Sequence, residues 1–130
     1  MADLRKTGKN NQRRGVTVAV TETIATSATM SDILFDLPVN CTVIGASALV
    51  TTASGTATDT VDIKVGSTVV ANEVVVGVVG VQRGTLAETN FPTGGQVTVV
   101  AGADAPDTAG RIRVMLEYIE LDVTSGAFVG

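Results

Sequence analysis

Few residues in this chain are of a type that does chemistry, and those few are poorly spaced for it. Two carboxylate pairs are the only candidates for acid–base work. Asp59 and Asp62 stand three apart in or beside a strand-like run, which sends their side chains to opposite faces. That spacing predicts solvated surface instead of a shared site. Asp104 and Asp107 flank Pro106 in a glycine-bounded loop. A calcium loop needs oxygen donors at alternating positions and a closing bidentate Glu, and neither is present. Both residues are read as turn formers, since Asp bonds its own local backbone in turns. Gly77 and Gly80 interrupt a valine run, but no Lys follows them as a phosphate loop requires; a bulge or close packing is expected. Cys41 has no His anywhere in the chain to activate it, so it reads as a small buried hydrophobe. The absence of His also removes Ser-His-Asp and Cys-His catalysis and imidazole metal sites. No enzyme activity and no cofactor are expected.

The remaining charged feature is a run at the N-terminus. Residues 1–14 carry Arg5, Lys6, Lys9, Arg13 and Arg14 against Asp3 alone, a local charge of +4. The whole chain is at −4, which leaves −8 for residues 15–130. The segment has no apolar periodicity and is not expected to fold by itself. Nucleic-acid binders present a basic domain face and stacking aromatics. Here the body is acidic and would repel a phosphate backbone, so no nucleic-acid partner is expected. Two readings of the five cations remain: a solvated tail, or, the favoured one, an arm that docks on an acidic surface of a partner or of a neighbouring subunit.

Composition sets the frame for these residues. In 130 residues there are 22 valines and 19 threonines but no Trp, one Tyr and three Phe. Charged residues are 17%, against about 25% in an ordinary soluble domain. Such a surface is suited to being covered by other protein. The longest apolar stretch, residues 74–81, is far short of the roughly 20 residues of a spanning helix, so no membrane partner is expected. Residues 1–14 lack a secretory pattern, which predicts synthesis in the cytoplasm. The length fits one domain, read as residues 15–130 behind the arm.

Period-two alternation dominates that domain. Val16, Val18 and Val20 share one face of a first, half-buried strand. Ile33, Phe35 and Leu37 alternate in a second run that Pro38 stops. The third strand spans 41–52, with Ile44, Ala46, Ala48 and Val50 on one face. Val61, Ile63 and Val65 follow a turn at 53–55, and two strands about a short glycine-containing connection predict a hairpin. One or two buried valine strands are expected over 68–81, then a long loop over 82–95. Val97, Val99 and Ala101 form another strand. The last places Ile112, Val114, Leu116 and Tyr118 inward, with Arg111, Arg113 and Glu117 outward. Seven to eight short strands without helical periodicity predict an all-β, two-sheet antiparallel β-sandwich, jelly-roll-like or immunoglobulin-like. No Cys–Trp–Cys pattern supports the immunoglobulin alternative.

The order of segments resembles a family of small jelly-roll-like virion proteins of tailed bacteriophages. The resemblance rests on Phe35-Asp36-Leu37-Pro38, then Val43-Ile44-Gly45 and Val50-Thr51-Thr52, then residues 58–66 (TDTVDIKVG). It continues through Gln96-Val97-Thr98-Val99-Val100, Thr108-Ala109-Gly110 and the run from Arg111 to Glu117-Tyr118-Ile119. Such proteins are head decoration or cement proteins. The likeness implies a jelly roll on the outer capsid surface of a virion, bound to the major capsid protein. It also implies self-association as a homotrimer, with a dimer as the alternative. Another virion component (neck, tail or fibre) and a carbohydrate-binding or adhesin module are the competing functions.

Overall fold

The computed structural model describes residues 15–107 and 109–120. The arm residues Arg5, Lys6, Lys9, Arg13 and Arg14 lie outside the described residues.

Valine and threonine carry two heavy atoms on Cβ, which suits them to a pleated surface. The described residues accordingly form strands and no helix. In chain order these are β1 (Thr17–Val20), β2 (Ile24–Ala25), β3 (Ser31–Leu37), β4 (Cys41–Thr52), β5 (Thr60–Val65) and β6 (Thr68–Val75). They continue with β7 (Gly80–Arg83), β8 (Thr85–Leu86), β9 (Asn90–Phe91), β10 (Gly95–Ala101) and β11 (Arg111–Glu120).

Two antiparallel sheets result. One runs β1-β11-β4-β7, with β2 also on β11 and β9 also on β4; the other runs β3-β10-β5-β6-β8. Four antiparallel pairs are nested in sequence: β1 with β11, β3 with β10, β4 with β7, and β5 with β6. Wrapping this long ribbon brings β11 against β4 and β10 against β5. That is the double Greek key of a jelly roll.

The core lies between the sheets. Val43, Ala46, Ala48 and Val50 of β4 and Ile112, Val114 and Leu116 of β11 form one wall. Val61, Ile63 and Val65 of β5, Val70 and Val74 of β6, and Val97 and Val99 of β10 form the other. Each fully buried valine contributes about 1.5–3 kcal/mol relative to an exposed one. Many such side chains replace the large aromatic anchors that the sequence lacks.

Several sequence expectations need correction. The valines of the first strand do not face the core: Val16, Val18 and Val20 are about half exposed. Ala19 sits opposite Leu116, which is fully buried, so the alanine takes the inward position. The alternation of β3 and β4 is broken by bulges, where an extra residue turns the rest of the strand over. In β3 the register against β10 slips at Leu34, so Ile33 pairs with Thr98 and points outward, 67% exposed. In β4 it slips at Ile44, leaving Val43 buried and Ile44 exposed.

The hairpin expected between the third strand and Val61–Val65 does not form. β4 and β5 belong to different sheets, and the tight hairpin is β5–β6, closed at Val65↔Thr68. Gly66 there has φ +61°, a conformation that glycine adopts at no steric cost. The region 82–95 is not one loop, since it contributes part of β7 and all of β8 and β9. Val78, Val79 and Val81, expected inside, are exposed where the chain crosses from β6 to β7. Gly77 meets the expectation of close packing. A Cβ there would lie 2.7 Å from the Ala57 Cα.

Candidate interaction surface

The carboxylates with chemical potential come first. Asp59 is not the solvated residue expected from its spacing: it is 4% exposed and sits in the connection between β4 and β5. The Ser54 hydroxyl donates to its Oδ2 at 2.6 Å and the Thr56 backbone N–H at 3.0 Å. The Asp107 backbone N–H approaches the same oxygen at 3.5 Å. The Ser54 bond, supported by these amides and opposed by burial, holds the carboxyl below the ordinary aspartate range. Thr56 Oγ1 also donates to Asp107 Oδ2 at 2.7 Å. Asp59 therefore ties the β4–β5 connection to the loop between β10 and β11.

A carboxylate held low in this way is a weak base near neutral pH. Ser54 has no imidazole to deprotonate it. Asp62 projects from the other face of β5 and accepts the Glu73 backbone N–H at 2.8 Å. This bond supports Glu73 in a left-handed conformation, φ 55°, which a non-glycine residue adopts only at a cost. Asp104 and Asp107 act across the fold: the Asp104 backbone carbonyl accepts from the Thr60 N–H at 2.7 Å, and Asp107 Oδ2 accepts from Thr56. Among the described residues no group of His, Cys, Asp and Glu is arranged to hold a metal ion. Cys41 is buried in the core, where burial first and the Glu120 carboxylate second push its thiol up. These groups perform structural work.

The outer surface is more distinctive. β1 ends the first sheet and β3 ends the second, so both edge strands lie on one side of the sandwich. On the outward face of the first sheet, Val18 stands opposite Glu117 and Val20 opposite Met115. Across β4 and β7 the same face carries Ser47, Leu49 and Val81. Edge strands are usually blunted by charge, proline or a cover, and β1 carries neither charge nor proline.

Between the two edges an open groove of about 660 Å³ is lined by residues 20–25 and 32–34. Its exposed lining is mainly polar, with Val20, Ile24, Ile33 and Leu34 contributing apolar side chains and Glu22 and Asp32 standing in it as carboxylates. The sequence reading missed this groove because β2 and β3, consecutive in the chain, belong to different sheets, and only the packing of the two sheets opens it between them. The acidic Glu22 and Asp32 were visible in the sequence, but their convergence was not.

No family profile and no curated protein matches this sequence. Among solved structures, a chain of the cyanophage Pam1 capsid asymmetric unit superposes with a TM-score of 0.60 at 20% identity, covering 83% of this chain and 86% of that one. The likeness is one of fold. It extends over most of both chains, so the sandwich described above is the shared unit.

Proposed function

We propose that this chain is a structural virion protein that decorates the outer surface of a phage head and holds neighbouring capsid subunits together without catalysis. The observation that carries the reading is the fold shared over 83% of this chain with a chain of a cyanophage capsid. The exterior supports it, since an uncharged edge strand with exposed valines suits contact with protein. A ligand that binds only the assembled shell stabilises it by mass action, about 2.7 kcal/mol at a hundredfold excess over Kd. Acting as a homotrimer, or alternatively a dimer, each copy bound to the major capsid protein adds that term to the expanded head. The arm residues Arg5, Lys6, Lys9, Arg13 and Arg14 dock on acidic surface of the capsid or of a neighbouring protomer.

Cryo-electron microscopy of the virions that contain this protein tests the reading. Density for the sandwich on the outer shell is expected. Density confined to the neck, tail or fibres overturns the head assignment. Removing residues 1–14 is expected to lower occupancy on empty heads at least tenfold at physiological salt. Undiminished occupancy removes the arm from the anchoring role.

A further inference from the structure

The groove between the sandwich edges has an occupant encoded in the same chain. Its two carboxylates, Glu22 and Asp32, make no ion pair and no side-chain hydrogen bond among the described residues. They stand beside Val20, Ile24, Ile33 and Leu34 in a groove whose exposed lining is mainly polar. Of the chain's nine Lys and Arg residues, five fall within residues 5–14. That segment also holds Asn10, Asn11 and Gln12, which can donate to and accept from a partly polar groove.

We propose that the groove receives the N-terminal segment of a neighbouring copy, with its Lys and Arg side chains set against Glu22 and Asp32. Reach is no obstacle, because 14 extended residues span up to about 50 Å. The choice of a second copy over the chain's own arm rests on the valines. Val16, Val18 and Val20 stand exposed immediately beside the groove. Residues 5–14 contain no apolar side chain, so that stretch folded back on its own body would not cover this row. A second copy brings an apolar body against the row while its arm enters the groove. The charge match then sets the orientation of association, the usual role of complementary charge at interfaces. The inference rests on the proposed docking of the arm on a neighbouring protomer and names the surface that receives it; it does not require head binding, since it concerns the free protein.

Full-length chain labelled with ¹⁴N and with ¹⁵N is mixed in urea, refolded together at about 100 µM, and treated with a zero-length carbodiimide. Mass spectrometry then reads which amines and carboxylates were joined. Links from Lys6 or Lys9 to Glu22 or Asp32 that pair the two isotopes are expected. Links of one isotope only would place the arm on its own chain and overturn the proposal, as would the absence of these links or a purely monomeric mass. As a second reading, the double substitution Glu22→Gln with Asp32→Asn is expected to weaken self-association at least tenfold by sedimentation velocity. These two residues are on the surface and their exchange leaves the core intact. Unchanged association in that variant also overturns the proposal. Both measurements use no heads, so their failure is separable from failure of head binding.

Discussion

The two isoleucines Ile33 and Ile63 each follow an aspartate and stand in a period-two apolar run, yet the structure separates them completely. Ile63 is fully buried on β5, whereas Ile33 is 67% exposed because the β3 bulge turns it outward. Replacing each by alanine therefore gives different outcomes. Ile63→Ala removes buried methyl groups and leaves a cavity between Val61, Val65 and the facing sheet, a loss of about 2–5 kcal/mol. Ile33→Ala removes atoms that already touch water, and the expected change is within about 0.5 kcal/mol. For a domain of this size each kcal/mol moves Tm by roughly 3–6 °C, so Ile63→Ala should melt roughly 6–30 °C lower. Urea unfolding followed by circular dichroism at low micromolar concentration reads both. The denaturant slope should stay constant, which assigns the change to stability alone. Equal losses at the two positions, or a loss below about 1 kcal/mol at Ile63, would refute the bulged register. If Ile33 lies under a second copy, its alanine variant should fall behind the parent only as concentration rises, since association stabilises by mass action.

Other expectations follow from single contacts. Asp59 has a folded pKa below its unfolded one, so its stabilising effect is complete above the unfolded value and disappears as pH falls through the folded value. Melting temperature of the parent should therefore drop on acidification below about pH 4, and Asp59→Asn, less stable at neutral pH, should show a flatter acid limb; parallel curves would contradict this. Gly77→Ala places a Cβ against the Thr56–Ala57 backbone, an overpacking loss of about 1–3 kcal/mol visible in the same urea titration. Cys41 should resist a thiol-specific reagent in the folded protein at pH 8 and react fully in urea, because burial both blocks access and raises its pKa. Rapid labelling without denaturant would contradict its place in the core.

Legibility from the sequence divides along physical lines. The span of β4 is readable to the residue, 41–52, because Pro38 and Asn40 precede it and a Ser-Gly turn follows. The inward set of β11, Ile112, Val114 and Leu116, is equally readable because its alternation is unbroken there. Bulges leave no such mark: Leu34 and Ile44 are ordinary strand residues, and only pairing with β10 and β11 reveals the slip. The face chosen by β1 is hidden for another reason. Valines at alternate positions announce an apolar face, but the strand sits at an edge, where that face meets solvent or another molecule. A hairpin between β4 and β5 is the economical local reading of a glycine turn, and tertiary bonds override it: Ser54 N–H bonds the Val76 carbonyl and carries the chain to the other sheet. Asp59 became a buried anchor for the same reason, since its partners in the β10–β11 loop lie about 50 residues away. The groove combines residues from two separate segments, and charge alone at Glu22 and Asp32 gave no sign of their meeting.

The pairing of β1 with β11, Thr17 opposite Tyr118, also imposes an order in time. The earliest strand made must wait for one synthesised about a hundred residues later, roughly 5–20 s at ordinary elongation rates. Until then β1 has no sheet to join, and neither the groove nor the outward valine row exists as a surface. Closure of such distant pairs is slow, milliseconds to seconds even for a complete chain. The surface used by the proposed association therefore forms only once β11 is in place. A nascent or truncated copy lacking β11 would present neither the groove nor the valine row, and on that proposal it would be kept out of the assembly.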